Sequence, residues 1–403
     1  MWGNLMKKIK SENQILIMLA FFSISIGLWE NFRQLWLQSN GFSATDISNI
    51  ISIGTLVSVF GIMLTGKYIK LDKLKTFVSC SLVIKFFNLV VLLNLNHSGN
   101  SNLINFSIII DVLTGYLITT SIYPLITTIV KNNTIYSKRK LTEYLFRDVG
   151  ILVGGLIIGK NIGILIDYNF CLFISIIFLA ISMIVMFNMT ACKNIESKQN
   201  EKISIFKYIF KSKLQVIYMI YSFIGAMAMS TALGLKMLTL TNYFGFTDNQ
   251  ATNYLLIVGL LADAIGILAL KYLTPKNDYI TITIKFGIRL IAYIIAFLSN
   301  NIIITLIAIT WSILISTSYE NICDGYYINE VENKYQLTFT NFRYIVRYLG
   351  EAAGIFLCGI MYEIGLRYMF GLSAFFMIFQ IGLAYYLIHL RKTGKVQNDC
   401  KIS

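Results

Sequence analysis

At least seventeen ionisable residues sit inside long apolar runs of this chain. The basic ones are Arg33, Lys85, Arg147, Lys160, Lys236, Lys285, Arg289, Arg343 and Arg347, and the acidic ones are Glu30, Asp111, Glu143, Asp148, Asp263, Glu320, Asp324 and Glu351. In hydrocarbon such groups are costly, so they face a wet cavity or each other and mark solute and ion paths. Lys160, Glu143, Arg343 and Asp324 lie near the ends of their runs, where snorkelling to the interface suffices. The rest form two groups. Glu30 and Arg33 are three apart, hence on one helix face, and with Asp111 and Lys236 they make an expected outer cluster. Arg147 and Arg347, with Asp148 and Glu351 beside them, make an expected deeper cluster in which twin guanidiniums could grip an anionic group through their planar forks. The expected solute contacts are therefore Glu30, Arg33, Asp111, Lys236, Arg147, Arg347 and Glu351. The candidates for carrying a coupling proton are Glu30, Asp111, Asp263 and Glu320. Each cluster reads equally well as structural ion pairing.

These charges need apolar elements to hold them. The chain has 403 residues, 56% apolar and 13% charged, against about 45–50% and about 25% for a soluble domain. A helical span takes about 20 residues, and spans are expected at 13–37, 45–66, 74–95, 103–131, 140–162, 168–190, 214–241, 250–272, 279–299, 301–326, 337–361 and 368–390. The formal charge of +14 would suggest nucleic acid in a soluble protein, but its distribution says otherwise. Twenty-four of the 34 basic residues fall on the tails and even-to-odd loops, and the opposite loops hold Arg367 alone. By the positive-inside rule both termini are cytoplasmic, and no nucleic-acid partner is expected. Lys7, Lys8 and Lys10 precede an apolar run too long for a signal-peptide core, so the run is read as the first span. Six scattered cysteines read as reduced core thiols. The two histidines have no ligand neighbours at helical spacing, so no metal is expected. No G-x-x-x-x-G-K-[ST] motif or soluble domain offers a nucleotide site, and no acid, base and nucleophile constellation suggests an enzyme. No cofactor is expected.

The halves repeat. At an offset of 204, Gly41 matches Gly245, Phe42 matches Phe246, Leu64 matches Leu268 and Lys67 matches Lys271; at 200, Tyr144, Arg147, Gly150, Gly154 and Gly159 match Tyr344, Arg347, Gly350, Gly354 and Gly359. Six spans separate the copies, so both halves share an orientation. The expected fold is an all-α integral membrane protein of twelve transmembrane helices in two pseudo-symmetric six-helix bundles. The boundaries are 1–190 for the first bundle, 191–213 for a cytoplasmic linker, 214–390 for the second bundle and 391–403 for a cytoplasmic tail. Gly150, Gly154, Gly159, Gly350, Gly354 and Gly359 recur every four or five residues, where missing side chains let another helix come close.

With these features the chain resembles the major facilitator superfamily of secondary transporters over essentially its whole length. That family carries a loop motif of Gly, Asp and basic residues between spans two and three; Gly66, Asp72, Lys73 and Lys75 correspond to it, with the acid two positions late. The resemblance implies that Gly66, Asp72 and Lys73 form an inner-gate latch. In span four, where the family often has Arg followed by Gly, this chain has Asp111 and Gly115, and the exporter motif of span five is present as Gly150 to Gly159 without its Pro. The implied function is alternating-access, proton-coupled transport of a small zwitterionic, anionic or amphiphilic solute by a monomer in the lipid bilayer of the cell membrane. Multidrug or metabolite efflux, or a receptor or enzyme on a transporter scaffold, are the alternatives. Abundant Ile, Asn and Lys suggest a bacterial source. The charge asymmetry yields a first prediction: a cysteine introduced by Gly99→Cys reacts with an impermeant thiol reagent added from outside intact cells, and labelling only after the cytoplasmic face is exposed would reverse the topology.

Overall fold

The computed structural model describes residues 11–69, 73–95, 100–129, 134–159, 168–189, 213–272, 278–299, 301–314 and 336–392. These residues form helices α1 (Ser11–Glu30), α2 (Arg33–Ser39), α3 (Ala44–Tyr68), α4 (Leu74–Leu95), α5 (Ser101–Ile129), α6 (Thr134–Gly159), α7 (Tyr168–Asn188), α8 (Lys213–Leu233), α9 (Asp248–Tyr272), α10 (Asp278–Leu298), α11 (Ile302–Leu314), α12 (Gln336–Ile364) and α13 (Leu366–Lys392). Among the described residues there is no strand, as hydrocarbon requires of a chain that cannot close a barrel. Hydroxyls within the spans find acceptors in their own helix: Thr55 donates to the Ile51 carbonyl, Ser58 to Gly54 and Thr231 to Met227. Eight described helical stretches are long and apolar enough to cross a bilayer, and Phe286–Leu298 and Ile302–Leu314 are shorter apolar ones. The fifth span is missing from the eight because α6 starts at Thr134 and takes in Lys138, Arg139, Lys140, Glu143, Arg147 and Asp148.

Two spans are broken at matching places. The first stops at Glu30, turns through Asn31 and Phe32, and resumes at Arg33; Asn31 returns its amide to the Gly27 carbonyl. The seventh stops at Leu233, turns, resumes as Lys236–Leu238 and continues as a π-helical turn over Thr239–Tyr243. Lys236 thus opens the piece after its break as Arg33 opens α2. Both spans end on a left-handed glycine, Gly41 at φ 86° and Gly245 at φ 67°, a conformation that a Cβ disfavours.

The chain divides into two compact units. One is Met1–Lys198 with Met237–Leu256, and the other is Gln199–Lys236 with Ile257–Ser403. The segment Met237–Leu256, which the sequence reading places in the second bundle, packs with the first unit: the Tyr168 hydroxyl donates to the Asp248 carboxylate, and Thr252 crowds Gly155. In the first unit α1 packs on α6 and α7, and α4 on α7; in the second α8 packs on α12 and α13, and α10 on α13. The repeated glycines sit at these seams. A Cβ on Gly150 would lie 2.3 Å from the Ile24 carbonyl oxygen, and one on Gly350 would lie 2.2 Å from that of Phe223. Gly154 faces the Phe32 ring at 2.3 Å and Gly354 the Met227 carbonyl at 2.5 Å. Gly159 ends α6, and Gly359 is buried in α12. Because backbone sits behind each contact, Gly150→Ala and Gly350→Ala are each expected to destabilise the protein by about 1–3 kcal/mol. Gly66→Ala, whose Cβ would meet nothing within 4 Å, should melt with the wild type; three equal melting curves in detergent would refute this reading of the seams.

Candidate functional site

The site is built from the broken first span and the two helices beside it. Asp111, eleventh of the 29 residues of α5, has no solvent exposure, and three donors from three helices converge on it. Oδ2 accepts from the indole N–H of Trp29 on α1 at 2.9 Å and from Nη1 of Arg33 on α2 at 3.0 Å. Oδ1 accepts from Nζ of Lys85 on α4 at 2.5 Å, and Lys85 also donates to the Asp111 carbonyl at 3.0 Å. Lys85 is 2% exposed. A carboxylate so enclosed persists because two cations neutralise it and its lone pairs are occupied.

A second pair adjoins this cluster. Arg147 Nη2 on α6 meets Glu30 Oε2 at 3.3 Å, with the two side chains 39% and 29% exposed. Gly115 bridges the two clusters: a Cβ there would stand 3.5 Å from Lys85 Nζ and 3.8 Å from Glu30 Oε1. The charges therefore alternate in a ladder from solvent to core, Arg147, Glu30, Lys85, Asp111 and Arg33, with a net charge of +1 when all are ionised. The deep end is dry and saturated. The open end is half-exposed, and Arg147 Nη2 meets the Glu30 carboxylate there at 3.3 Å, so a solute can compete for both groups.

This arrangement differs from the expected clusters. Arg33 pairs with Asp111 rather than with Glu30, because the break at Asn31 and Phe32 turns α2 away from the face that three-residue spacing assumes for a continuous helix. Arg147 belongs to the Glu30 group rather than to a separate deeper one. Its helix begins at Thr134, six residues before the expected start at 140, which raises Arg147 by about 9 Å above the helix start. Lys236, Arg347 and Glu351 lie in the second unit. Lys236 and Arg347 are the repeat counterparts of Arg33 and Arg147, and Arg347 and Glu351 are half-buried on α12. Asp263 lies on α9, while Glu320 and Asp72 lie outside the described residues. Gly66 and Lys73 are exposed at the ends of α3 and α4. Sequence reasoning singled out Lys85 as an intramembrane charge without giving it a role, and it did not single out Trp29. The usable signal for Lys85 was its place twelfth in a 22-residue apolar helix, where snorkelling fails and a carboxylate is required.

Neutralising Asp111 strands two buried cations, and breaking a buried ion pair from one side costs about 3–5 kcal/mol. Asp111→Asn is therefore expected to abolish most detergent-extractable folded protein, and adding Lys85→Met to it should recover part of the yield and melting temperature. Wild-type stability in Asp111→Asn would show that the cluster carries no structural load.

No family model and no curated protein matches this sequence. Solved structures do match in fold. The nucleoside transporter NupG aligns with a TM-score of 0.70 at 16% identity, covering 95% of this chain and all of that one. The D-xylose-proton symporter aligns at 0.69 and 9% identity, over 94% and 95% of the two chains. A bacterial homolog of the human lysosomal transporter Spinster, inward-facing and occupied, aligns at 0.68 and 12% identity, over 94% and 96%. Each is a transporter, and the coverage runs the full length of both partners. The chain has the twelve-helix fold of the major facilitator superfamily transporters.

Proposed function

We propose that this protein is a secondary active transporter for a small solute bearing an anionic group, zwitterions and amphiphiles included, and that Glu30 carries a coupling proton. The observation that supports it most is the Glu30–Arg147 pair, half-open at one end of a buried ladder with one surplus positive charge. The fold supports the transport class, since its structural neighbours include a nucleoside transporter and a D-xylose-proton symporter. Their different solutes leave the substrate to the residues of this chain. Arg147 is an always-charged planar fork suited to a carboxylate or phosphate oxygen pair. A solute anion arriving at Arg147 competes with Glu30, and a carboxylate that loses its cation in a low-dielectric pocket favours taking up a proton. Binding of solute and binding of a proton are thus linked at one pair. Asp111 suits that role less well, because both of its oxygens already accept donors.

In this reading the chain works as a monomer in the cell membrane with both termini cytoplasmic, its bundles being 1–190 and 214–390. Arg347 and Glu351 supply the second unit's counterpart of Arg147. Outward movement of solute, efflux, uses the same chemistry with the gradient applied in the other direction.

The test is transport by purified protein in liposomes with an imposed pH gradient, screened over amino acids, short peptides, hydroxy acids and neutral sugars and nucleosides. Carboxylate-bearing solutes should accumulate and neutral ones should not. Glu30→Gln should lose gradient-driven accumulation while keeping solute exchange, and Arg147→Lys should raise KM by about tenfold, as loss of one bidentate contact of about 1.4 kcal/mol would. Wild-type accumulation by Glu30→Gln would move the proton site elsewhere.

A further inference from the structure

The second unit contains a buried cation for which the first unit supplies the comparison. Arg289 stands twelfth in α10 as Lys85 stands twelfth in α4, an offset of 204, the same offset that matches Gly41 with Gly245. In the first unit Asp111 neutralises Lys85. At that offset Asp111 corresponds to Ile315, and residues 311–319 contain no acid. The carboxylate is thus not repeated at its matching position, and Glu320, five residues on, lies outside the described residues.

Arg289 is 5% exposed, and among the described residues its Nε and Nη2 have no hydrogen-bond partner. It lies on the core stripe of α10 with Phe286, Tyr293 and Ala296, all fully buried, while Ile288, Ile291, Ile295 and Leu298 on other faces are exposed. Its neighbours on that stripe locate it. Phe286 packs edge-on against Tyr221 of α8, and Tyr293 packs against Phe370 of α13. The adjoining helices α8 and α13 carry no acidic residue. Further polar atoms here are buried without a partner among the described residues: the Tyr293 hydroxyl on α10 itself, and the Ser373 hydroxyl and Gln380 Oε1 on α13.

We propose that Arg289 holds a small oxyanion, a carboxylate or inorganic phosphate, inside the second unit, with Tyr293 and Ser373 as supporting donors. Nε and Nη2 are the two nitrogens of one edge of the guanidinium, the edge that grips two oxygens of a carboxylate or phosphate in parallel. Water could satisfy those donors but leaves the charge uncompensated, which hydrocarbon penalises. Lipid phosphates are out of reach: Arg289 is about 14–16 Å from either end of its helix and turns inward. The occupant is therefore a free small anion or the anionic end of a solute. This site is independent of the Glu30–Arg147 pair, and either can fail without the other.

The experiment is thermal unfolding of the purified full chain in detergent at constant pH and ionic strength, in sodium acetate, sodium phosphate or sodium chloride. Acetate or phosphate should raise the wild-type Tm above its value in chloride by about 3 °C or more. Arg289→Gln should lose that increment while melting no lower than wild type in chloride, since it no longer buries an unpaired charge. Arg289→Lys should keep less than half, because an ammonium lacks the fork. General salt stabilisation would appear equally in Arg289→Gln, so an increment that persists there overturns the proposal, as do equal wild-type curves in all three salts. Should Arg289→Gln fail to fold, the double variant Tyr293→Phe, Ser373→Ala keeps the charge, and an undiminished increment in it overturns the donor arrangement.

Discussion

Burying a carboxylate in a membrane span is the constraint on which the first unit depends. Asp111 cannot reach water, and its charge is tolerable only while Lys85 and Arg33 hold it and Trp29 fills the remaining lone pair. Those three donors come from α4, α2 and α1, so one side chain on α5 joins four helical pieces. A slide of any of them would expose an unpaired ion to hydrocarbon, so the cluster favours movement of the unit as a body. The break in the first span belongs to the same constraint. Without the turn at Asn31 and Phe32, Glu30 and Arg33 would share a face and neutralise each other, leaving Asp111 with Lys85 alone and Arg147 without its acid.

Much of the architecture was legible before any coordinates. Helical spans follow from apolar run length, and the described helix ends fall within a few residues of the expected ones except at α6, where a basic stretch precedes the apolar part and still winds as helix. The close glycine contacts were legible too, because Gly150 and Gly350 repeat at a spacing that only close helix packing explains. The site was legible as a set of residues rather than as a set of partners. Hydrophobic periodicity locates a charge on a span, yet it does not say which span lies opposite. Depth counted from an assumed helix start shifts with that start, as Arg147 shows. A break in a helix changes the facing of everything after it, as Arg33 shows, and no proline or glycine at residues 31 and 32 advertised the break.

The first unit holds two kinds of charge pair. Saturated, dry pairs have no open lone pair to offer a competitor, so they hold shape. Half-open pairs keep part of each charge facing water, so a solute can approach them. Lys85 connects the two kinds: it binds Asp111 tightly and stands across the Gly115 gap from Glu30. When Glu30 is neutralised, the nearest compensating charge for Lys85 remains Asp111, and the fixed cluster is undisturbed. On the role proposed for Glu30, its proton exchanges without unlocking the unit that contains it.

Pseudo-symmetry makes the halves alike in backbone and leaves them free to differ in charge. Helix pairings, paired glycines, broken spans and left-handed turns are repeated because they are matters of backbone approach, which the same packing solves twice. The ladder of alternating charge is not repeated. Lys85 has Arg289 as its counterpart, Arg33 has Lys236 and Arg147 has Arg347, but Asp111 corresponds to Ile315 and Glu30 to Leu233. The cations of the first unit thus recur while the two carboxylates that compensate them do not. In the second half Arg289, whose Nε and Nη2 have no hydrogen-bond partner among the described residues, is the cation left in need of negative charge. For a protein whose fold is that of solute carriers, a solute or a small anion is the most economical source.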